Sequence, residues 1–185
     1  AEWKVGDLEV IPGIRAEYFR IVDEFEAQPR LTLRYAINKA TNIKAGAGLF
    51  AEQPPGYAIS EDIGNPNLHV ETSIHYSAGV EHAFTEALSL DITGFYKTLD
   101  DLIRPVDVDP NFVNTGIGRA YGMELLLRHE LTERFYGWLS YTLMRSERRD
   151  APGEPWRVFD VDQTHNLVLI GQYKITPKWQ VGLRW

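Results

Sequence analysis

Hydrophobic and polar residues alternate along most of this chain. That period of two constrains the fold more than any other feature, because it marks strands whose two faces meet different surroundings. Leu8, Val10, Pro12, Ile14, Ala16 and Tyr18 oppose Glu9, Ile11, Gly13, Arg15 and Glu17. Leu31, Leu33, Tyr35 and Ile37 oppose Arg30, Thr32, Arg34 and Asn38, and Ile43, Ala45, Ala47 and Leu49 oppose Lys44, Gly46 and Gly48. Val70, Thr72, Ile74, Tyr76, Ala78 and Val80 oppose Glu71, Ser73, His75, Ser77, Gly79 and Glu81. Leu88, Leu90, Ile92, Gly94 and Tyr96 oppose Ser89, Asp91, Thr93 and Lys97. Near the end, Leu167, Leu169, Gly171 and Tyr173 oppose Asn166, Gln172 and Lys174, and Trp179, Val181, Leu183 and Trp185 oppose Gln180, Gly182 and Arg184.

One stretch sets two signals against each other. Glu124 to Phe135 is rich in Leu, Glu and Arg, which favour helix. Yet Tyr121, Met123, Leu125 and Leu127 share one parity, and Phe135, Gly137, Leu139, Tyr141 and Leu143 resume it after the step Leu131–Arg134. Its neighbours alternate as well, so the expected form is a hairpin, with a lone amphipathic helix as the alternative. The chain then holds about nine strands.

The expected connections differ in length by rim. Asn38–Thr41, Thr85–Ala87, Leu131–Arg134 and Thr176–Lys178 read as tight turns. Ala51–Leu68, Asp100–Gly118 and Ser146–Gln163 read as long polar links carrying several prolines, with a shorter link at Val22–Pro29. Short turns on one rim and long loops on the other characterise outer-membrane barrels, whose short turns face the periplasm. Aromatic residues gather near strand ends, including Trp3, Tyr18, Tyr76, Tyr96, Phe135, Trp138, Tyr173 and Trp179, as a bilayer girdle would require. Ordinary β-propensity of aromatics explains them equally well.

Composition narrows the classes. The 185 residues carry 44% hydrophobic residues and a net charge of -7, with no cysteine. Disorder, a disulfide framework and a thiolate nucleophile are excluded, and the acidic balance argues against a nucleic-acid partner. No apolar run reaches the length of about 18 residues that a membrane-crossing helix needs. A mean hydropathy of -0.29 leaves a barrel open, since barrel strands need be apolar on one face only.

Candidate chemistry reduces to structure. Gly116 to Gly122 resembles a phosphate-binding glycine loop but follows a long loop and enters a strand, so close backbone approach is the better reading. Asp107–Asn111 begins like a calcium loop, but Phe112 stands at the turn-glycine position and Gly118 at the closing carboxylate. Weak calcium coordination by loop carboxylates, Asp160 and Asp162 among them, stays open. The histidines, His69, His75, His82, His129 and His165, lack metal-ligand spacing. No catalytic, cofactor or metal site is assigned.

The residues resemble a family: the barrel of TonB-dependent outer-membrane receptors. The resemblance runs through "QPRLTLRYAINKATNIKAGAGLFAEQPP", "NPNLHVETSIHYSAGVEHAFTEALSLDITGFYKTLDDLI", "GRAYGMELLLRHELTERFYGWLSYTLMRSE" and "FDVDQTHNLVLIGQYKITPKWQVGLRW", and covers nearly the whole chain. It implies an all-β antiparallel transmembrane barrel, located in the outer membrane of a Gram-negative bacterium, importing a scarce ligand such as an iron-siderophore complex. It also implies a 22-stranded wall around a plug on which TonB pulls. Residues 1–185 show no plug-like segment, so they are expected to be a single partial-barrel segment of about 9–10 strands. Remaining strands and plug would come from another polypeptide or from missing segments, and TonB would act only indirectly through the plug. Strand parity points the same way: nine strands place first and last on the same course and cannot close, whereas single-chain bacterial barrels have even numbers.

Two other readings compete, a complete small barrel serving as adhesin, pore or scaffold, and a soluble β-rich binding module. On the first reading the lipid bilayer meets the apolar parity. Glu9, Arg15, Glu17, Arg30, Arg34, Lys44, Glu71, His75, Glu81, Asp91, Lys97, Glu124, Arg128, Gln180 and Arg184 would line the lumen. Tyr57, Phe112, Trp156 and Phe159 are the candidate ligand contacts in the loops. A charge at Leu33, Leu90, Leu125 or Leu169 should destabilise by roughly 2–4 kcal/mol near the bilayer midplane.

Overall fold

A computed structural model describes residues 2–185. The alternation becomes eleven strands: β1 (Trp3–Val5), β2 (Leu8–Phe19), β3 (Glu24–Asn38), β4 (Thr41–Glu52), β5 (Glu71–Ala83), β6 (Leu88–Pro105), β7 (Phe112–His129), β8 (Phe135–Arg149), β9 (Arg157–Val158), β10 (His165–Thr176) and β11 (Trp179–Arg184). Each pairs antiparallel with its sequence neighbour in a single meander, except that β9 is a two-residue addition to β8 and β10 pairs with β8 directly. No helix forms among the described residues.

Glu124 to Phe135 is the hairpin that the pattern required. Met123, Leu125 and Leu127 pair with Leu143, Tyr141 and Leu139 across β7 and β8, holding helix-favouring residues in a sheet ladder. Neighbouring ladders on both sides override local propensity. The glycine stretch before it serves close approach. A Cβ on Gly122 would stand 2.2 Å from the Leu143 carbonyl oxygen, and one on Gly118 would stand 2.8 Å from the Arg148 guanidinium.

Several strands run further than the alternation indicated. β3 starts at Glu24, so the link expected over Val22–Pro29 shrinks to 20–23. β6 continues to Pro105 and β7 begins at Phe112, replacing the expected loop Asp100–Gly118 with a projecting hairpin closed at 106–111. Parity is lost there because bulges lie between Leu99 and Arg104, where Asp101 adopts a φ of 58°. The segment β1, only three residues long, is a strand that the alternation does not indicate. With β1 the hydrogen-bonded path holds ten strands, so the odd-number argument for an open barrel fails. The sheet is nonetheless open, because the path ends at β1 and β11 without joining them.

Rim asymmetry is plain. Residues 6–7, 39–40, 84–87, 130–134 and 177–178 turn at one rim; 20–23, 53–70, 106–111 and 150–164 connect at the other.

Burial is inverted relative to a globule. The buried apolar residues are Phe19, Ala58, Leu68, Val70 and Ala120, clustered mainly around loop 53–70. Meanwhile Ile43 is 43% exposed and Ile92 36% exposed inside the sheet, with a paired strand on either side. A sheet of long strands that shows a face apolar through its middle is a surface awaiting an apolar solvent.

Candidate functional site

Register assembles the polar parity into one continuous face. Glu9 opposes Arg34, Arg34 opposes Lys44, and Lys44 opposes Gly79. From there Gly79 opposes Thr93, Thr93 opposes Glu124, and Glu124 opposes Thr142. Arg15 faces Gln28 on the same side, Arg30 faces Gly48, and Gly48 faces His75, which faces Lys97. Glu81 faces Asp91, and Arg128 faces Trp138, which faces Ile170 and through it Arg184; Gln180 follows two residues before Gly182. Glu17 and Glu71 share parity with Arg15 and His75. All the residues expected to line the lumen therefore share one side of the sheet.

Their charges are partnered mostly across strands. Arg34 reaches Glu81 at 2.6 Å, and Lys44 pairs with Asp91, whose other oxygen accepts the Thr93 hydroxyl at 2.9 Å. Lys44 and Asp91 sit on β4 and β6, so this pair spans β5 over Gly79, which has no side chain to obstruct it. Arg15 pairs with Glu17 at 2.6 Å, Glu9 lies 3.8 Å from Lys4, and Arg128 pairs with Glu130 at 3.0 Å. An open groove of about 460 Å³ lies between these pairs, lined by Arg30, Phe50, His75, Phe95, Lys97 and Glu124 among others. Arg30 lies over the Phe50 ring at 4.5 Å, Phe50 stacks on His75 at 4.3 Å, and Lys97 lies over Phe95 at 5.5 Å.

The opposite face carries two descending rows of aromatic residues, whereas Phe50, Phe95 and Trp138, the last expected in the girdle, lie on the polar parity. Tyr76, Tyr96 and Tyr121 are register neighbours, and the Tyr96 and Tyr121 rings stack at 6.2 Å. The row is higher on β2 and β3, at the opposed Tyr18 and Phe25, and lower on β8, at Tyr141. A second row runs from Tyr35 through Phe84 to the opposed Phe135 and Tyr173, then Trp179. Drift of a level band across the register is what tilted strands produce. Between the rows on β6, Leu88 to Tyr96 spans about 27 Å at roughly 3.4 Å per residue. A tilt of about 40° reduces this to about 21 Å, close to the roughly 25 Å apolar band of an outer-membrane barrel.

Beyond the upper row the loops are built, not loose. Asn114 Nδ2 donates to the carbonyls of His69 at 3.1 Å and Asp101 at 2.7 Å, while its Oδ1 accepts the His69 N–H at 2.9 Å. Asn65 and Asn111 tie loop 53–70 to the β6–β7 hairpin by donating to the carbonyls of Phe112 and Ile63. Glu24 accepts the Val70 N–H at 3.0 Å and pairs with His69. Burial works to raise the Glu24 pKa, but these two donors outweigh it and hold the carboxyl below its ordinary range. Glu71 shifts the other way: burial pushes it up, against the Ile103 N–H that it accepts at 2.6 Å. None of these asparagine links was legible, since an Asn in a loop looks alike whether it bridges or faces water.

The four aromatic candidates divide. Tyr57 packs edge-on against Phe112 at 5.7 Å, and Phe112 is the first residue of β7 rather than a loop residue. Phe159 lies beneath the Arg148 guanidinium at 4.3 Å, on the polar side. Trp156 lies with Arg119 and Arg149, at 4.3 and 4.8 Å, on the apolar side. Of the loop carboxylates, Asp162 accepts the Ser146 N–H at 2.6 Å and the Thr164 hydroxyl at 2.9 Å, while Asp160 stands 3.7 Å from Arg157.

A family model described as "TonB dependent receptor-like, beta-barrel" matches residues 1–185. No curated protein matches the sequence. Among solved structures, the ferripyoverdine receptor of the Pseudomonas aeruginosa outer membrane is similar with a TM-score of 0.73 at 15% identity, over 98% of this chain and 26% of that one. The ferric-catecholate import receptor Fiu of E. coli K12 gives a TM-score of 0.73 at 14% identity, over 96% and 31%. The alcaligin outer-membrane receptor FauA of Bordetella pertussis gives 0.69 at 18% identity, over 100% and 35%. At such identities the likeness shows the fold, and the chain spans a quarter to about a third of the length of these receptors.

Proposed function

The chain belongs to the TonB-dependent receptor-like β-barrel family, and from that premise we propose that it forms part of the wall of a receptor that imports a scarce ligand, such as an iron-siderophore complex. The family places it in the outer membrane of a Gram-negative bacterium, among transporters rather than enzymes. In this reading the apolar face meets lipid and the polar face lines the lumen. The wall is completed by further strands that continue from the open edges at β1 and β11, on this or another polypeptide. A plug inside that wall carries the contact with TonB, and the mixed signs of the polar face suit such a plug better than a single-sign ion filter.

One observation carries the reading: one side of the sheet is apolar and exposed over a height matching a bilayer and is bounded by aromatic rows. A soluble module would not leave interior-strand residues such as Ile43 and Ile92 in water. A complete small barrel would need β1 paired to β11. In the lumen, the Arg30–Phe50–His75 stack, Lys97 and Glu124 offer cationic, aromatic and acidic contacts to a plug; Tyr57, Phe112 and Phe159 offer contacts to ligand at the outer rim.

The test is purification from outer membranes in detergent, followed by intact-mass measurement of every polypeptide present and by uptake of labelled ferric siderophore. Co-purification of plug-bearing sequence with siderophore uptake supports the proposal. A protein that stays monodisperse without detergent and carries no plug would overturn it.

A further inference from the structure

Immediately beyond the upper aromatic row the apolar face turns basic. Arg145 opposes Tyr121 in register, Arg119 lies two residues past Tyr121 on β7, and Arg149 lies on the same side of β8. Two of these guanidiniums share one carboxylate. Arg119 Nε donates to Glu147 at 2.7 Å, and Arg145 Nε stands 3.9 Å from the same side chain. Arg149 has no acidic partner, and its Nε is buried without a hydrogen bond. Asp100 of β6, opposite Thr72, is on the same face. Trp156 braces the group from the loop, with both Arg119 and Arg149 over its ring.

Position decides what such a cluster meets. Two residues along a strand is about 7 Å, which carries the guanidiniums from the tyrosine row into the headgroup layer. Guanidinium forks match phosphate oxygens bidentately, and basic residues at a bilayer surface attract anionic headgroups. A free phosphate would gain from the charge alone. A lipid phosphate also gains from the apolar wall beneath, where its acyl chains lie.

We propose that Arg119, Arg145 and Arg149, braced by Trp156, bind the phosphorylated headgroup of an outer-leaflet lipid. The site rests on the lipid-facing assignment made above, and it ties the β7–β8 wall and the 150–164 loop to the membrane surface.

The experiment uses the intact receptor in nanodiscs of neutral lipid doped with lipid A or with its dephosphorylated form, counting retained lipid by native mass spectrometry. Wild type should retain phosphorylated lipid A at least about tenfold better, and Arg119→Gln with Arg145→Gln and Arg149→Gln should abolish that preference. Arg145→Gln alone, which leaves the Trp156 contacts in place, should weaken retention severalfold if the triple variant fails to fold. Equal retention of the two lipids, no change in Arg145→Gln, or complete displacement by millimolar inorganic phosphate would overturn the site. A probe on Leu125→Cys, read by quenching from brominated lipid tails, separates the two claims. Quenching without phosphate preference sinks the headgroup site alone, and absence of quenching sinks the facing and the site together.

Discussion

The Arg34 guanidinium on β3 reaches the Glu81 carboxylate on β5 at 2.6 Å, crossing over the intervening strand β4. Lys44 and Asp91 repeat the pattern one strand further along. Such pairs lace alternate strands of the polar face together, at a spacing that direct cross-strand neighbours do not use.

Their energetic weight should still be small. Arg34 and Glu81 side chains are 45% and 38% exposed, so solvent screens the attraction. A double-mutant cycle with Arg34→Ala and Glu81→Ala, read by denaturant unfolding in vesicles, should give a coupling below about 1 kcal/mol. A coupling of several kcal/mol would mean that the face is far drier than its exposure indicates.

The apolar face should be sensitive to charge according to depth. Leu125 opposes Ile92, midway between the aromatic rows, and Leu169 opposes Leu139 at a comparable depth on β10. Arg at either position should cost about 2–4 kcal/mol of folding free energy in lipid, whereas Leu90→Arg and Leu33→Arg, nearer the Leu88 and Tyr35 rim, should cost less. Vesicle-reconstituted unfolding curves measure this; a Leu125→Arg protein as stable as wild type would contradict the facing.

Acid should loosen the outer rim through Glu24. Its folded pKa is depressed, so the stabilisation is fully present above the ordinary glutamate value near 4.3 and is lost as pH falls through the lower folded value. Hydrogen exchange at the Val70 N–H should therefore accelerate below about pH 4. In Glu24→Gln the exchange should already be faster at neutral pH and lose this acid-induced step.

Loop 53–70 should be held by Asn114 more than by its own composition. Asn114→Ala removes three hydrogen bonds at once, each worth about 0.5–1.5 kcal/mol. Limited proteolysis within 53–70 should speed up markedly. Asn114→Asp, which puts a carboxylate oxygen against the carbonyls of His69 and Asp101, should speed it at least as much as Asn114→Ala.

Gly122→Ala should cost about 1–3 kcal/mol or more, since its Cβ would meet backbone and not a movable side chain, with Leu143 oxygen at 2.2 Å. Denaturation in vesicles checks it, and a neutral result would require the β7–β8 ladder to shift.

Much of the fold was readable because a strand reports its two environments in alternate letters. Leu31, Leu33 and Tyr35 against Arg30, Thr32 and Arg34 state which side is which without any partner being known. The same alternation told a hairpin from a helix at Glu124 to Phe135, and it sorted onto one side every polar residue that the register later aligned. Where parity failed, reading failed. The bulges between Leu99 and Arg104 shift the period, so the alternation does not reveal the projecting β6–β7 hairpin or the place of Phe112 in it. Three residues at Trp3–Val5 are too few to show a period at all.

What only the tertiary structure decided are relations between residues far apart in the chain. That Arg34 meets Glu81, that Asn114 clasps His69, and that Trp156 lies among arginines on the apolar side while Phe159 lies on the polar side all depend on how strands are aligned. Alternation along a strand records which face a side chain occupies. It carries nothing about which neighbour stands opposite, because that is settled by backbone pairing, bulges and loop closure acting across the whole sheet.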